Sequence, residues 1–171
     1  MKNSIITSAL LVCLSFFSTN VNASKLRSNS DSSVCLEING KLSNLNIDGD
    51  KSYRVELISN NNVIESKTLK NKREFTFKLK KNTHYAVRVT KVGFVPKVIS
   101  IFTDSPKEVN DLFRLQFDVE LIHNSETKDI NKDALDFPTV VVSYSPEGDR
   151  FDYDKKYSAN LMNEMYLKKR F

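Results

Sequence analysis

Strict alternation of apolar and polar residues constrains this chain more than any other feature. It is longest in "LFRLQFDVELI" (112–122), where every second side chain from Phe113 to Leu121 is apolar and those between are polar or charged. Successive side chains of a β-strand point to opposite faces of the sheet. The pattern therefore predicts a strand with one buried and one solvent-facing side. Shorter runs of the same period occur at 53–59, 73–79 and 84–90.

Turn-forming residues separate these runs. "NNN" (60–62), "KKNT" (80–83) and "KVGF" (91–94) lie between them. Short strands at this spacing, each with a polar outer face, predict an all-β fold, an antiparallel Ig-like β-sandwich. Residues 123–136 are expected to form a charged loop, with or without a helical turn, and 146–151 a tight turn. A first strand is expected from 34 to between 40 and 42, and further strands at 63–69, 97–102 and 138–145.

The end of the chain changes period. Apolar residues recur every four positions, which predicts a short amphipathic helix over about 155–169. Two interpretations stay open: the helix packs its apolar stripe on the sandwich, or it docks onto a partner. The residues concerned are Tyr157, Leu161, Met162, Met165 and Tyr166.

The N-terminus has the pattern of an export signal. An apolar run, "IITSALLVCLSFFS" (5–18), follows Lys2, and "VNA" (21–23) provides a cleavage site. We expect residues 1–23 to be removed, which leaves 148 residues (171 − 23) beginning with a polar linker at 24–33. The run is too short for a membrane span. The predicted product is exported, periplasmic or secreted to the cell surface, and does not span the membrane.

Removal of residues 1–23 also removes Cys13, so Cys35 is the one cysteine that remains. No intramolecular disulfide is then expected. Because Cys35 lies in the strand-like run "SVCLEI", it is expected to be a small buried hydrophobe rather than a reactive thiol.

Charge is unevenly distributed along the chain. Residues 67–91 hold nine Lys or Arg against one acid, and residues 104–154 hold thirteen acids against five basic residues. Either the two segments are solvated or paired in the fold, or the basic one binds an anionic surface such as lipopolysaccharide. Export argues against nucleic acid as the partner. The candidate basic patch comprises Lys70, Lys72, Arg73, Lys78, Lys80 and Lys81.

One stretch, "NLNIDGDKS" (44–52), begins like a calcium loop. Counting from Asn44, Gly49 stands correctly at position 6, but position 12 is Val55 where a bidentate Glu is needed. The stretch is better explained as a turn between strands. His84 and His123 have no third His or Cys at ligand spacing, so no zinc site is predicted.

Catalytic motifs are absent from the sequence. It contains no Gly-x-Ser-x-Gly, no phosphate loop and no His-Glu-x-x-His. Asp149, Asp152 and Asp154 are expected to form a solvated turn and a helix cap rather than an acid–base or cation site. We therefore expect no catalytic residue, no cofactor and no metal.

A series of short motifs resembles a known family. These are Gly40-Lys41-Leu42, Val55-x-Leu57, Phe75-x-Phe77, Tyr85-x-Val87-x-Val89, Gly93-Phe94 and the run from Val98 to Thr103. Their order resembles the carboxypeptidase regulatory-like domains, small transthyretin-like (prealbumin-like) sandwiches of exported bacterial proteins. The match covers about 34–104 and leaves 105–171 as a C-terminal β extension ending in the helix. "KNKREF" departs from the Asp-Gly turn usual in that family before the F-x-F strand.

This resemblance implies a non-catalytic accessory module whose partner is a protein of the cell envelope. The tail "FPTVVVSYSPEGDRFDYDKKYS" also resembles segments of exported Gram-negative proteins. One alternative is a carbohydrate- or polysaccharide-binding module, although Trp is absent. The second alternative is a small periplasmic hydrolase, which would need a convergent polar pocket. The oligomeric state does not follow from the sequence.

Overall fold

A computed structural model describes residues 34–43, 52–70, 72–106 and 111–166, which belong to one compact unit. The predicted signal peptide (1–23), the linker (24–33) and most of the predicted turn at 44–52 lie outside the described residues. No helix in the described ranges has the length and apolar character needed to cross a membrane. The strands are β1 (Val34–Leu42), β2 (Ser52–Ser59), β3 (Asn62–Lys70), β4 (Glu74–Lys80), β5 (His84–Thr90), β6 (Lys97–Phe102), β7 (Phe113–Val119), β8 (Val140–Ser145) and β9 (Arg150–Tyr153).

These strands form two sheets, which confirms the predicted all-β sandwich. Sheet A has the order β4-β1-β7, and sheet B has the order β3-β2-β5-β6-β8-β9. Alternate residues of each strand face inward: β4 buries Phe75, Phe77 and Leu79 and exposes the residues between them. Burial of such large apolar side chains is the main favourable term in folding.

Strand direction departs from the expected antiparallel pattern in two places. Among the described strands, β1 pairs with β7 and β6 pairs with β8 in parallel, whereas the other five pairs are antiparallel. Parallel neighbours cannot be joined by a tight hairpin and need a long connection. Here β1 and β7 are far apart in the chain, and the path from β6 to β8 runs through β7 in the other sheet. Alternation within a strand does not indicate whether its neighbours run parallel or antiparallel to it.

The segment after residue 104 contributes to both sheets. β7 extends sheet A, and β8 and β9 extend sheet B. β9 includes the last two residues of the predicted tight turn and the two residues after it, so the turn is shorter than predicted. The expected loop at 123–136 forms two 3₁₀ helices, Asn124–Asp129 and Lys132–Asp136. The division of the chain at 104 stays a prediction.

The predicted C-terminal helix is present as α1 (Lys155–Tyr166). Asp154 begins it, because its Oδ1 accepts a hydrogen bond from the Tyr157 backbone N–H at 2.8 Å. Leu161 and Met165 are buried on the inner side of α1 in a second small core, together with Ile130 and Ala134 of the 3₁₀ region. The helix therefore packs on the folded chain through part of its apolar stripe.

Both lateral edges of the sandwich are bridged by side chains. On one side, Lys67 Nζ of β3 donates to the Thr76 backbone oxygen of β4 and lies 4.4 Å from the centre of the Phe77 ring. On the other, the Tyr153 hydroxyl of β9 donates to the Gln116 backbone oxygen of β7 at 2.9 Å. These contacts occupy backbone acceptors that an open edge strand would present to other chains.

Candidate functional site

A cleft of about 560 Å³ separates α1 from the end of the sandwich. We call it the helix cleft and define it by its lining. Its polar lining includes Lys97, Glu120, Glu126, Thr139 and Ser158, and its apolar lining includes Val95, Leu121, Ile122, Leu135, Val140, Leu161, Met162 and Met165, with Tyr166 beside them. Apolar clefts of this size with a few polar groups are typical ligand sites.

The helix cleft lies where two hydrophobic cores meet. Leu121 belongs to the main sandwich core and Val140 packs against it. Leu161 belongs to the smaller core under α1, and Leu135 packs against that one. Protein interiors are normally filled to crystal-like density. The helix cleft is open to solvent on one side, so it is a groove between the two cores that a ligand could enter from outside.

Lys97 is the basic residue of the cleft lining. It occupies the same face of β6 as the buried Ile99 and Ile101, so its stem points inward at the end of the sandwich. Its Nζ donates a hydrogen bond to the Glu120 backbone oxygen at 3.2 Å. Burial lowers the pKa of Lys97, and the Glu120 carboxylate partly opposes that shift. The sequence analysis missed this residue, although the alternation Lys97, Ile99, Ile101 already placed a lysine in the inward register.

The helix residues predicted to dock a partner divide into three groups. Leu161 and Met165 are buried and form part of the cleft wall, whereas Met162 and Tyr166 are 51% and 38% exposed and also line the cleft. Tyr157 lies outside the cleft lining and donates from its hydroxyl to the Pro138 backbone oxygen at 2.8 Å. Burial raises the pKa of Tyr157. Whether a partner uses the exposed pair stays a prediction.

The candidate basic patch is partly matched by acids on the outer face of sheet A. Lys78 of β4 and Arg114 of β7 both stand opposite Glu37 of β1, and Arg114 Nε lies 3.5 Å from Glu37 Oε1. Opposite charges on neighbouring strands stabilise a sheet modestly. In a second row across the same three strands the signs are reversed: Lys41 of β1 stands between two acids, Glu74 of β4 and Asp118 of β7.

The remaining members of the patch lie at two ends of β4. Lys70, Lys72 and Arg73 precede β4, whereas Lys80 and Lys81 stand at its end. At about 3.3 Å per residue, seven strand residues separate the two groups by roughly 20 Å. Lys81 Nζ also donates to the Pro106 backbone oxygen at 2.6 Å. The patch as an anion-binding surface stays a prediction.

A serine–histidine pair lies on the outer face of sheet B. His84 Nε2 is 2.7 Å from Ser100 Oγ, and the His84 ring stacks on Phe102 with centroids 4.3 Å apart. Ser100 is buried beneath this ring. Ser100 belongs to β6, between β5 and β8, whereas His84 is the first residue of β5, and both lie outside the helix cleft. In the sequence, His84 was considered only as a metal ligand and was not connected with Ser100.

His123 and the C-terminal acids have local structural partners. His123 Nδ1 accepts from the Ser125 backbone N–H at 3.3 Å at the start of a 3₁₀ helix, and its ring packs edge-on against Phe94. Asp149 accepts from the Tyr144 hydroxyl, which raises the pKa of Tyr144. Within the described parts of the chain, no group of three or more His, Cys, Asp or Glu side chains is placed to hold a metal ion.

Asp152 is held by two hydrogen bonds, and Cys35 is buried. Asp152 accepts from the Tyr153 backbone N–H at 2.8 Å and from Arg150 Nη2 at 2.9 Å, and these bonds, the first most strongly, lower the pKa of the Asp152 carboxyl. Cys35 is 4% exposed, and burial raises the pKa of its thiol. A protonated, buried thiol is a poor nucleophile, so the expectation of a small buried hydrophobe is confirmed.

Comparison with known proteins gives limited information. No protein-family model matches the chain, and no curated protein sequence matches it. Among solved structures, one described as "Crystal Structure of S.CueP" is 14% identical, and the match covers 50% of this chain and 60% of that chain with a TM-score of 0.34. The match thus spans less than two thirds of that chain. At this similarity it supports no statement about function.

Proposed function

We propose that the protein is a non-catalytic binding module of the cell envelope that acts through the helix cleft. The observation that carries the proposal is the cleft itself: an open groove of about 560 Å³ with both apolar and polar lining residues, between the main core and the small core under α1. The export pattern in residues 1–23 and the resemblance to carboxypeptidase regulatory-like domains support the envelope location and the accessory role.

Two residues of α1 give the cleft an accessible mouth. Met162 and Tyr166 expose apolar surface beside the buried Leu161 and Met165. Methionine is flexible and polarizable and adapts to differently shaped partners. A component entering the cleft would extend the apolar contact between α1 and the sandwich without requiring either to unfold.

The test compares two variants of neighbouring helix residues. Met162→Glu places a charge at the cleft mouth, whereas Asn163→Glu places the same charge at an exposed position outside the lining. Each immobilised protein is incubated with an envelope extract of its own organism, and retained proteins and small molecules are identified by mass spectrometry. We expect a component that wild type and Asn163→Glu retain chemically unchanged and Met162→Glu loses. Equal retention by both variants would refute the proposal.

A hydrolase is the second candidate, because His84 Nε2 lies 2.7 Å from Ser100 Oγ. A nucleophilic serine needs an adjacent base and also donors for the oxyanion. In the middle strand of a sheet the backbone N–H groups are engaged in the ladder, so we propose that this pair is structural. Labelling of Ser100 by a fluorophosphonate, and its loss in Ser100→Ala, would favour the hydrolase instead.

A further inference from the structure

We propose that the helix cleft holds an uncharged single-chain amphiphile. Its chain would lie between α1 and the sandwich, and its polar end would accept a hydrogen bond from Lys97 Nζ. This inference rests on the proposed function, because it names the chemical class that the cleft takes.

The apolar part of the ligand follows from the cleft wall. Leu121 follows β7, Val140 belongs to β8 and Leu161 to α1, and all three present branched aliphatic groups; Met162 and Met165 add two adaptable thioether chains. About 560 Å³ lies inside the range of about 300–1,000 Å³ typical of small-molecule sites. These lining side chains are hydrocarbon-rich, so the part of the ligand that they cover should be hydrocarbon as well.

The polar end of the ligand follows from Lys97. An ammonium group carries three donor hydrogens, and the Glu120 backbone oxygen takes one of them at 3.2 Å. A carbonyl or hydroxyl oxygen entering the cleft would give the ammonium group a further acceptor. That bond is stronger than a neutral one because the donor is charged.

The charges around the cleft select an uncharged head group. Lys97 contributes one positive charge, and the carboxylates of Glu120 and Glu126 contribute two negative ones. Glu120 already acts electrostatically on Lys97. An anionic head would be repelled by these two carboxylates, although both belong to exposed residues. A cationic head would be attracted by the carboxylates but could not accept a hydrogen bond from Lys97.

The test uses the purified full chain and the neutral fluorescent probe N-phenyl-1-naphthylamine, whose emission rises in an apolar site. Competitors share a ten-carbon chain and differ in charge: decanamide, decanoate and decyltrimethylammonium, all below their micelle concentrations. We expect decanamide to displace the probe at a concentration at least about tenfold lower than either ion. Stronger displacement by decanoate or by the cation would overturn the assignment of an uncharged head.

Three variants locate the site. Met162→Trp narrows the mouth of the cleft and should weaken probe binding about tenfold or more, whereas Asn163→Trp, outside the lining, should leave it unchanged. Lys97→Met should weaken decanamide about tenfold more than it weakens the probe, because decanamide accepts a hydrogen bond from Lys97 Nζ and the probe has no carbonyl or hydroxyl oxygen to do so. Unaltered decanamide binding in Lys97→Met, or unaltered probe binding in Met162→Trp, would overturn the proposal.

Failure of this inference is distinguishable from failure of the proposed function. If the probe does not bind, but Met162→Glu still loses an envelope component that Asn163→Glu retains, the cleft is a binding site for something else, such as a protein segment. The inference is then wrong and the proposed function stands. If both charged variants retain the same components, the cleft is not the binding site.

Discussion

Phe75 lies directly across Gly40, where a Cβ atom built on the glycine would come within 2.1 Å of Phe75 Cζ. The missing side chain in the middle of β1 lets the Phe75 ring of β4 reach over to Phe117 of β7, with ring centroids 6.1 Å apart in an edge-to-face arrangement. Such aromatic pairs contribute beyond their buried area. The family-like Gly-Lys-x motif at residue 40 therefore has a packing explanation in this chain.

Gly40→Ala should destabilise the protein by about 1–3 kcal/mol, the usual cost of overpacking a core. In an open strand the same change would be favourable, because alanine loses less backbone entropy than glycine on folding. Urea denaturation measures the free energy of unfolding. Gly148→Ala is the matched control, since the nearest atoms to its Cβ belong to the flexible Arg150 side chain at 3.4 Å.

A double variant tests whether the cost comes from Phe75. Gly40→Ala combined with Phe75→Leu should cost less than the sum of the two single changes, because the smaller side chain removes the clash. Additive costs would mean that Gly40 is required for a reason other than the Phe75 ring.

The next prediction concerns Thr103, which forms hydrogen bonds with backbone groups far away in the sequence. Its side chain is fully buried, and its hydroxyl accepts from the Thr83 backbone N–H at 2.9 Å while donating towards the Lys80 and Thr83 backbone oxygens at 2.7 and 2.8 Å. Thr103→Val keeps the shape and leaves buried backbone groups without this partner, so we expect a loss of about 1–3 kcal/mol. Thr103→Ser keeps the hydroxyl and should cost about 1 kcal/mol or less. Equal urea midpoints for the two variants would contradict the hydrogen-bonding role.

The β2–β3 turn has a backbone that few residues adopt. Asn60 and Asn61 have φ angles of 49° and 61°, as a two-residue type I′ hairpin turn requires. Asn61→Val should cost about 1–2 kcal/mol, because a branched side chain is disfavoured in the left-handed region. Asn61→Gly should be neutral or slightly stabilising. Thermal unfolding of both variants measures this, and a neutral valine variant would show that the turn takes another conformation.

The fold was predictable wherever one strand carries enough alternation to show its own period. The strands at 84–90 and 97–102 were predicted with the bounds that the structure has, and the first strand, predicted to end between 40 and 42, ends at 42. The parallel pairings of β1 with β7 and β6 with β8 were not, because direction depends on how distant segments cross between sheets. Period-2 alternation is a local signal.

The candidate site was less predictable for a related reason. The helix cleft is bounded by residues 95–97, 120–126, 135–140 and 158–166, which meet only after both cores have formed. An unfilled space has no sequence motif. Its polar lining had one local signal, the inward register of Lys97 in β6. Four of the five helix residues that were singled out from their spacing, all except Tyr157, line the cleft.

Lys97 should make stability depend on pH in a defined direction. Burial lowers the pKa of Lys97 in the folded chain below its ordinary value of 10.5. Between the two values the unfolded chain binds more protons than the folded one, so the free energy of unfolding rises with pH. Below the folded pKa the full cost of burying the charge is present. Lys97→Met should therefore stabilise the protein most near pH 7, with a gain that shrinks as pH rises through this window.

Urea denaturation of wild type and Lys97→Met at pH 7, 9 and 10.5 measures the effect. The difference in free energy of unfolding should be larger at pH 7 than at pH 10.5, because deprotonation of Lys97 relieves the wild-type penalty. Lys156→Met, which changes an exposed lysine at the start of α1, is the control and should show no such trend. A Lys97→Met difference that does not change with pH would mean that the ammonium is solvated in the folded protein. The cleft would then lack the desolvated ammonium group that has been assigned to bind the polar end of the ligand.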